Sequence, residues 1–315
     1  MEYLWLILGL VALVLGGEFL VRGAVSIALK AKISPLVVGM TVVSFGTSAP
    51  ELLVSLSAVL DGYPDVSVGA VVGSNISNIA LVLGITVMIF PIVVNRDSLR
   101  IDWPLMILAT FLFYFFAMNG EIVLWEGCVF LGILSLFTFW LIRRSRKEGI
   151  QLAAENEVAE LNTGNPIYKD VFFLGCGMLA LYFGAEWLID SVVSIASKQG
   201  VSKKLISVTI VAFGTSLPEL VTSSMAAFRK ETDISIGNLI GSNIFNILAI
   251  LGITAIVHPL EISDSINQFD MYFLLGISLL LLPIMLFGKQ IGRWKGVFLI
   301  LFYAFYIYFS IAAEY

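Results

Sequence analysis

Charge is scarce in this chain. Of 315 residues only 13% are charged while 59% are hydrophobic, and the mean hydropathy is +0.97. A soluble globule of this size carries far more charge, so the composition points to a polytopic membrane protein. Imidazole and thiol are nearly absent as well. Cys128 and Cys176 sit in apolar stretches without His or Cys neighbours and read as small core residues, implying neither disulfide nor zinc. His258, the one histidine, lies beside Pro259 at an expected helix end and reads as a satisfied or solvated side chain, not a ligand. A net charge of −5, with no basic stripe interleaved with aromatics, argues against a nucleic-acid role. There is no His-Glu-x-x-His, no Gly-x-Ser-x-Gly and no recognisable nucleophile and base pair, which argues against an intramembrane enzyme. The opening Met1-Glu2-Tyr3 has no basic region, and no small-x-small cleavage site precedes Arg22, so the first apolar segment is expected to stay in the membrane.

Apolarity is abundant and periodically interrupted. Segments of roughly 17 to 25 apolar residues span a hydrocarbon core of ~30 Å when helical. Ten are expected, at about 3–28, 34–60, 68–94, 102–118, 122–142, 169–196, 201–228, 235–258, 268–287 and 293–312. With an external N-terminus, 14 lysines and arginines fall in internal loops, and Lys198, Lys203 and Lys204 in external ones. This bias predicts both termini outside. The fold class expected is an all-α membrane protein.

One polar segment occurs twice in this apolar background. Residues 45–51 read Phe-Gly-Thr-Ser-Ala-Pro-Glu and residues 213–219 read Phe-Gly-Thr-Ser-Leu-Pro-Glu, an offset of 168. Sliding the chain by that offset also aligns Gly73-Ser74-Asn75-Ile76 with Gly241-Ser242-Asn243-Ile244, Asn78 with Asn246 and Pro91 with Pro259. Between 40–84 and 208–252, 22 of 45 positions are identical without a gap. This is an internal duplication rather than a short-repeat solenoid. Five helices per copy force the second copy to enter from the opposite side. Residues 1–142 and 169–315 are therefore expected to be inverted repeats, joined by a cytoplasmic linker at 143–168 that includes the acidic run from Glu155 to Glu160. Such architectures place the substrate near the midplane, at interrupted helices, and alternate access to it.

Ionisable residues at membrane depth mark ion or substrate pathways. On a helix, Thr47, Ser48, Glu51 and Ser55 share one face, as do Thr215, Ser216, Glu219 and Ser223. Pro50 and Pro218 remove the donors that would satisfy the carbonyls of Gly46 and Gly214. Freed carbonyls at this depth need a partner, and a cation can serve. Ser74, Asn75 and Asn78 in one copy, and Ser242, Asn243 and Asn246 in the other, complete an inventory of oxygen ligands without imidazole or thiolate. It suits hard cations such as Na⁺, Ca²⁺ or Mg²⁺. Two carboxylates neutralise one Ca²⁺ or balance two Na⁺, with a third cation attracted more weakly. Gly39, Gly69, Gly73, Gly84, Gly237, Gly241 and Gly252 read as close helix contacts. Glu18 is open to two readings, an ion pair with Arg22 four residues on or a part in ion access; Glu186, followed by Asp190, has no such partner.

The paired Gly-Thr-Ser-x-Pro-Glu and Gly-Ser-Asn-Ile-x-Asn segments, on ten helices in two inverted halves, resemble the cation/calcium exchanger superfamily, most closely its prokaryotic sodium/calcium antiporters. The resemblance implies that Glu51 and Glu219 are central cation ligands. Around them it sets Thr47, Ser48, Thr215 and Ser216, the carbonyls near Ser44 and Ala212, and Ser74, Asn78, Ser242 and Asn246. In potassium-dependent relatives an aspartate stands at one such asparagine position, so asparagine at both argues against potassium dependence. The resemblance further implies Na⁺ entering and Ca²⁺ leaving, three for one, across the cell membrane. The first helix of each repeat is expected to slide past the other eight, eased by Gly16, Gly17, Gly175, Gly177 and Gly184. Proton/calcium or other divalent-cation antiport is the alternative, and a cation channel a more distant one. No cofactor and no obligatory protein partner beyond the lipid bilayer is expected.

Overall fold

The computed structural model describes residues 2–155, 166–199, 212–263, 265–288 and 290–313. The start of the segment expected at 201–228, with Lys203 and Lys204, and the acidic run beyond Glu155 lie outside the described residues. Nearly everything described is helical: α1 Glu2–Ala31, α2 Pro35–Thr47, α3 Ala49–Leu60, α4 Pro64–Ile89, α5 Ser98–Ala117, α6 Leu124–Glu155, α7 Ile167–Lys198, α8 Ala212–Thr215, α9 Leu217–Phe228, α10 Thr232–Val257, α11 Ile266–Leu286 and α12 Arg293–Ala313. Among the described residues seven of these, α1, α4, α5, α6, α7, α10 and α11, are long and apolar enough to cross a membrane, or eight spans if the broken pair α2 and α3 counts as one. The expected segment 293–312 coincides with α12. The many exposed leucines, valines and phenylalanines on these helices need a non-aqueous surrounding.

The chain folds into two compact units that each draw on both copies of the duplication. One comprises Met1–Thr47 and Phe137–Asn238, the other Ser48–Leu136 and Leu239–Tyr315.

In the first unit α1 and α7 run against one another along their length. Glycine sets the spacing. Gly9, Gly16 and Gly23 recur every seven residues in α1 and meet Gly184, Gly177 and Asp170, which recur every seven in α7. A Cβ on Gly16 would stand 2.8 Å from the Leu181 nitrogen, and one on Gly177 would stand 2.6 Å from that of Leu20, so neither position admits a side chain. The pair is fastened at its ends by a partly buried Lys30–Asp170 ion pair and by Glu2 with Lys198. Gly16, Gly177 and Gly184 thus let α1 and α7 approach closely. Gly17 faces Val221 of α9, and nothing approaches the Cβ direction of Gly175. Glu18 takes the ion-pair reading: it bonds Arg22 and also Arg229, just past α9. In the same unit α2 and α10 approach through Gly39 and Gly237, where a Cβ on Gly237 would lie 2.6 Å from the Leu36 carbonyl.

In the second unit two short antiparallel ladders join segments from the two halves of the chain. Strand β1, Ile92–Val93, pairs with β4, Gln290–Ile291, and β2, Glu121–Ile122, pairs with β3, Leu260–Glu261. Gly84 of α4 packs on α12, and Gly252 of α10 on Leu131 of α6; Gly73, expected at a close contact, faces open space. Cys128 is exposed on α6, which corrects its reading as a core residue, while Cys176 is half-buried; both are free. His258 is exposed and satisfied by the Pro259 carbonyl at 2.7 Å.

Candidate functional site

The duplicated segments break their helices at the same place. Ser48 has φ −90° and ψ 4°, and Ser216 has φ −87° and ψ 5°. Each serine ends one helix, and the next begins with proline in its first turn, where a missing donor does no harm. Glu51 and Glu219 follow in the first turn of α3 and α9, where the positive end of the helix dipole favours a carboxylate. They are 4% and 0% exposed, too little for water to solvate a charge. The glycines of the motif have a packing reason: a Cβ on Gly46 would strike Met178, and one on Gly214 would strike Ile189, both on α7.

The first unit holds Ser44, Thr47, Ala212, Thr215, Ser216 and Glu219, and the second holds Ser48, Glu51, Ser74, Asn78, Ser242 and Asn246. In the first unit Ser44 Oγ lies 2.8 Å from the Gly39 carbonyl and 3.1 Å from that of Asn238. Thr47 donates to Asn238 Oδ1 at 3.1 Å. Asn238 Nδ2 donates to Ser223 Oγ at 3.0 Å, and Ser235 Oγ donates to the Ser223 carbonyl at 2.8 Å. The Ser216 hydroxyl is buried without a hydrogen-bond partner among the described residues. Ala212 opens the short helix α8, where its carbonyl was expected to serve.

In the second unit α4 and α10 are linked at the Gly-Ser-Asn segments, where Asn75 Nδ2 donates to the Asn243 carbonyl at 3.3 Å. Asn78 and Asn246 each begin a π-helical turn, Asn78–Val82 and Asn246–Leu251. Such turns widen the backbone and occur often at functional sites. Both asparagines are at most 1% exposed, yet neither their amide oxygens nor their nitrogens have a hydrogen-bond partner among the described residues. Ser55, one turn beyond Glu51, is in the same condition. Buried amides are nearly always bonded, so orphans repeated at equivalent positions call for a ligand or an ordered water. The oxygen set suits a hard cation. Among the described residues no three His, Cys, Asp or Glu side chains cluster as a metal site.

Sequence reasoning missed Asn238 and the π-turns. Asn238 carried a signal, being an amide in an apolar helix, but its equivalent 168 residues earlier is Ala70, so the duplication hid it. The π-turns leave no periodic mark.

Comparison with known proteins agrees with this chemistry. The family model described as sodium/calcium exchanger protein matches residues 1–143 and 169–312. The chain is 38% identical over 310 residues to a protein named CaxA from Alkalimonas amylolytica, covering 97% of each. It is 33% identical to the sodium/calcium exchanger MaX1 of Methanosarcina acetivorans, covering 96% of each. Among solved structures, the sodium-calcium exchanger NCX_Mj superposes with a TM-score of 0.83 at 31% identity, covering 97% of each chain.

Proposed function

Because this chain belongs to the sodium/calcium exchanger protein family, we propose that it moves Na⁺ into the cytoplasm in exchange for Ca²⁺ moving out, with Glu51 and Glu219 as the charged cation ligands. It is a multi-pass membrane transporter of that family and not an enzyme. The observation that carries the reading is the pair Asn78 and Asn246: four buried amide atoms with no hydrogen-bond partner among the described residues, each pair at the start of a π-turn, in a chain whose duplicated segments each bear a buried carboxylate. Ser44, Thr47, Ser48, Ala212, Thr215, Ser216, Ser74 and Ser242 add the remaining oxygens. Because the same carboxylates bind either ion, Na⁺ and Ca²⁺ compete, and two unpaired charges hinder the empty carrier from crossing. That competition is what couples the fluxes.

In this reading ten helices cross the cell membrane as inverted repeats, 1–142 and 169–315, with the 143–168 linker in the cytoplasm and both termini outside. Access alternates, and α1 and α7 move as a pair. Three Na⁺ per Ca²⁺ would move one net charge, coupling transport to the membrane potential at about 2.3 kcal/mol per 100 mV. Buried carboxylates also serve as proton carriers in transporters, which keeps proton/calcium antiport as the rival.

Radiocalcium uptake into inverted vesicles separates the two. Uptake driven by an outward Na⁺ gradient, and lost in both Glu51→Gln and Glu219→Gln, is the expected result. Uptake that follows only a proton gradient transfers the assignment to proton/calcium exchange, and full activity in either glutamine variant removes that carboxylate from the site.

A further inference from the structure

Asn238 joins the two duplicated segments from a third helix. Its amide bonds Thr47, four residues before Glu51, and Ser223, four residues after Glu219, while its own carbonyl meets Ser44. Resting on the cation-exchange reading above, we propose that Asn238 is a positioning residue. It turns the Thr47 hydroxyl into an oxygen donor for the transported cation, and it does so in one copy of the duplication only.

The argument is one of proton accounting. An amide oxygen can only accept, so the 3.1 Å contact is a bond that Thr47 donates. A competing acceptor, the Ser44 carbonyl, is more distant at 3.4 Å. A hydroxyl that gives its proton to Asn238 turns lone pairs and not hydrogen toward its other neighbours, the polarity a hard cation requires. The amide is itself held. Its nitrogen can only donate and does so to Ser223 Oγ at 3.0 Å, and Ser235 pins the carbonyl of Ser223 at 2.8 Å. Thr47, Ser223, Ser235 and Asn238 are all 0% exposed, so water does not compete for these bonds. The first copy offers an internal control. The equivalents of Ser223, Ser235 and Asn238 are Ser55, Ser67 and Ala70. The hydroxyl of Ser55, which has no amide to accept from, is buried with no hydrogen-bond partner among the described residues, and so is that of Ser67.

The test is Na⁺-driven Ca²⁺ uptake by the full chain in proteoliposomes, titrated with Ca²⁺, for Thr47→Val, Asn238→Ala and the double variant. Loss of a positioning bond is expected to raise half-saturating Ca²⁺ about three- to tenfold in Asn238→Ala, with the maximal rate changed less than about twofold. The double variant should be no worse than Thr47→Val, because the amide acts through that hydroxyl. Additive penalties, or a lowered maximal rate at unchanged half-saturation, overturn the proposal. If Thr47→Val shifts half-saturation and Asn238→Ala does not, the proposal falls alone. If Thr47→Val shifts nothing, the ligand role of Thr47 falls with it. Should the alanine variant not reach the membrane, Asn238→Leu, which keeps the volume and removes both bonds, is read in the same two backgrounds by the same criteria.

Discussion

Ser223, Ser235 and Asn238 in the second copy of the duplication answer to Ser55, Ser67 and Ala70 in the first, 168 residues earlier. The serines are equally buried in both, at 0% exposure. In the second copy the amide and the two serines bond to one another; in the first the hydroxyls have no hydrogen-bond partner among the described residues. Alanine for asparagine removes the donor to the Ser55 hydroxyl; the bond from Ser235 to the Ser223 carbonyl, which Ser67 does not repeat, does not involve the amide. A duplicated backbone therefore does not duplicate its electrostatics.

The difference can be broken from either side. Ser223→Ala strips Asn238 Nδ2 of its acceptor at a fully buried position, and a buried donor left unmade costs about 1–3 kcal/mol. Denaturant or thermal unfolding in detergent should register that loss, and an unchanged midpoint would mean the network is not holding α9 to α10. Ala70→Asn sharpens the comparison by supplying the missing amide to the first copy. A stabilisation of about 0.5–1.5 kcal/mol is expected if Ser55 accepts the new bond, read by the same unfolding measurement; destabilisation would show that the site near Ala70 is too tight for the larger side chain. The smallest effect belongs to Ser55→Ala, which removes a hydroxyl with no hydrogen bond to lose among the described residues and should change apo stability by no more than about 0.5 kcal/mol. A loss comparable to that of Ser223→Ala would erase the contrast.

Much of the architecture was legible. Apolar segments expected at 3–28, 68–94, 102–118, 122–142, 169–196, 235–258 and 268–287 correspond to the seven helices long and apolar enough to span, and the break expected at 34–60 falls at Ser48. Hydropathy reports these because a helix in a bilayer must be apolar along its whole length. Proline next to a buried carboxylate marked Glu51 and Glu219, since both features are costly at that depth. What the glycines face was not legible. Gly9, Gly16 and Gly23 face Gly184, Gly177 and Asp170 at matching seven-residue intervals, a relation between two distant segments that neither contains alone. Asn238 was missed for a related reason: comparing the copies finds what they share, and this residue matters through what they do not.

By itself the sequence determined the membrane class, the duplication and the chemical type of the candidate site, because these depend on residue identity and on spacing within one helix. Which hydroxyl gives its proton to which amide, which asparagines lie buried with no hydrogen-bond partner among the described residues, and that α1 and α7 are packed through glycine were decided by tertiary structure alone. Each depends on distances of about 3 Å between residues as far apart as Thr47 and Asn238, and only the packing of helices brings such residues together.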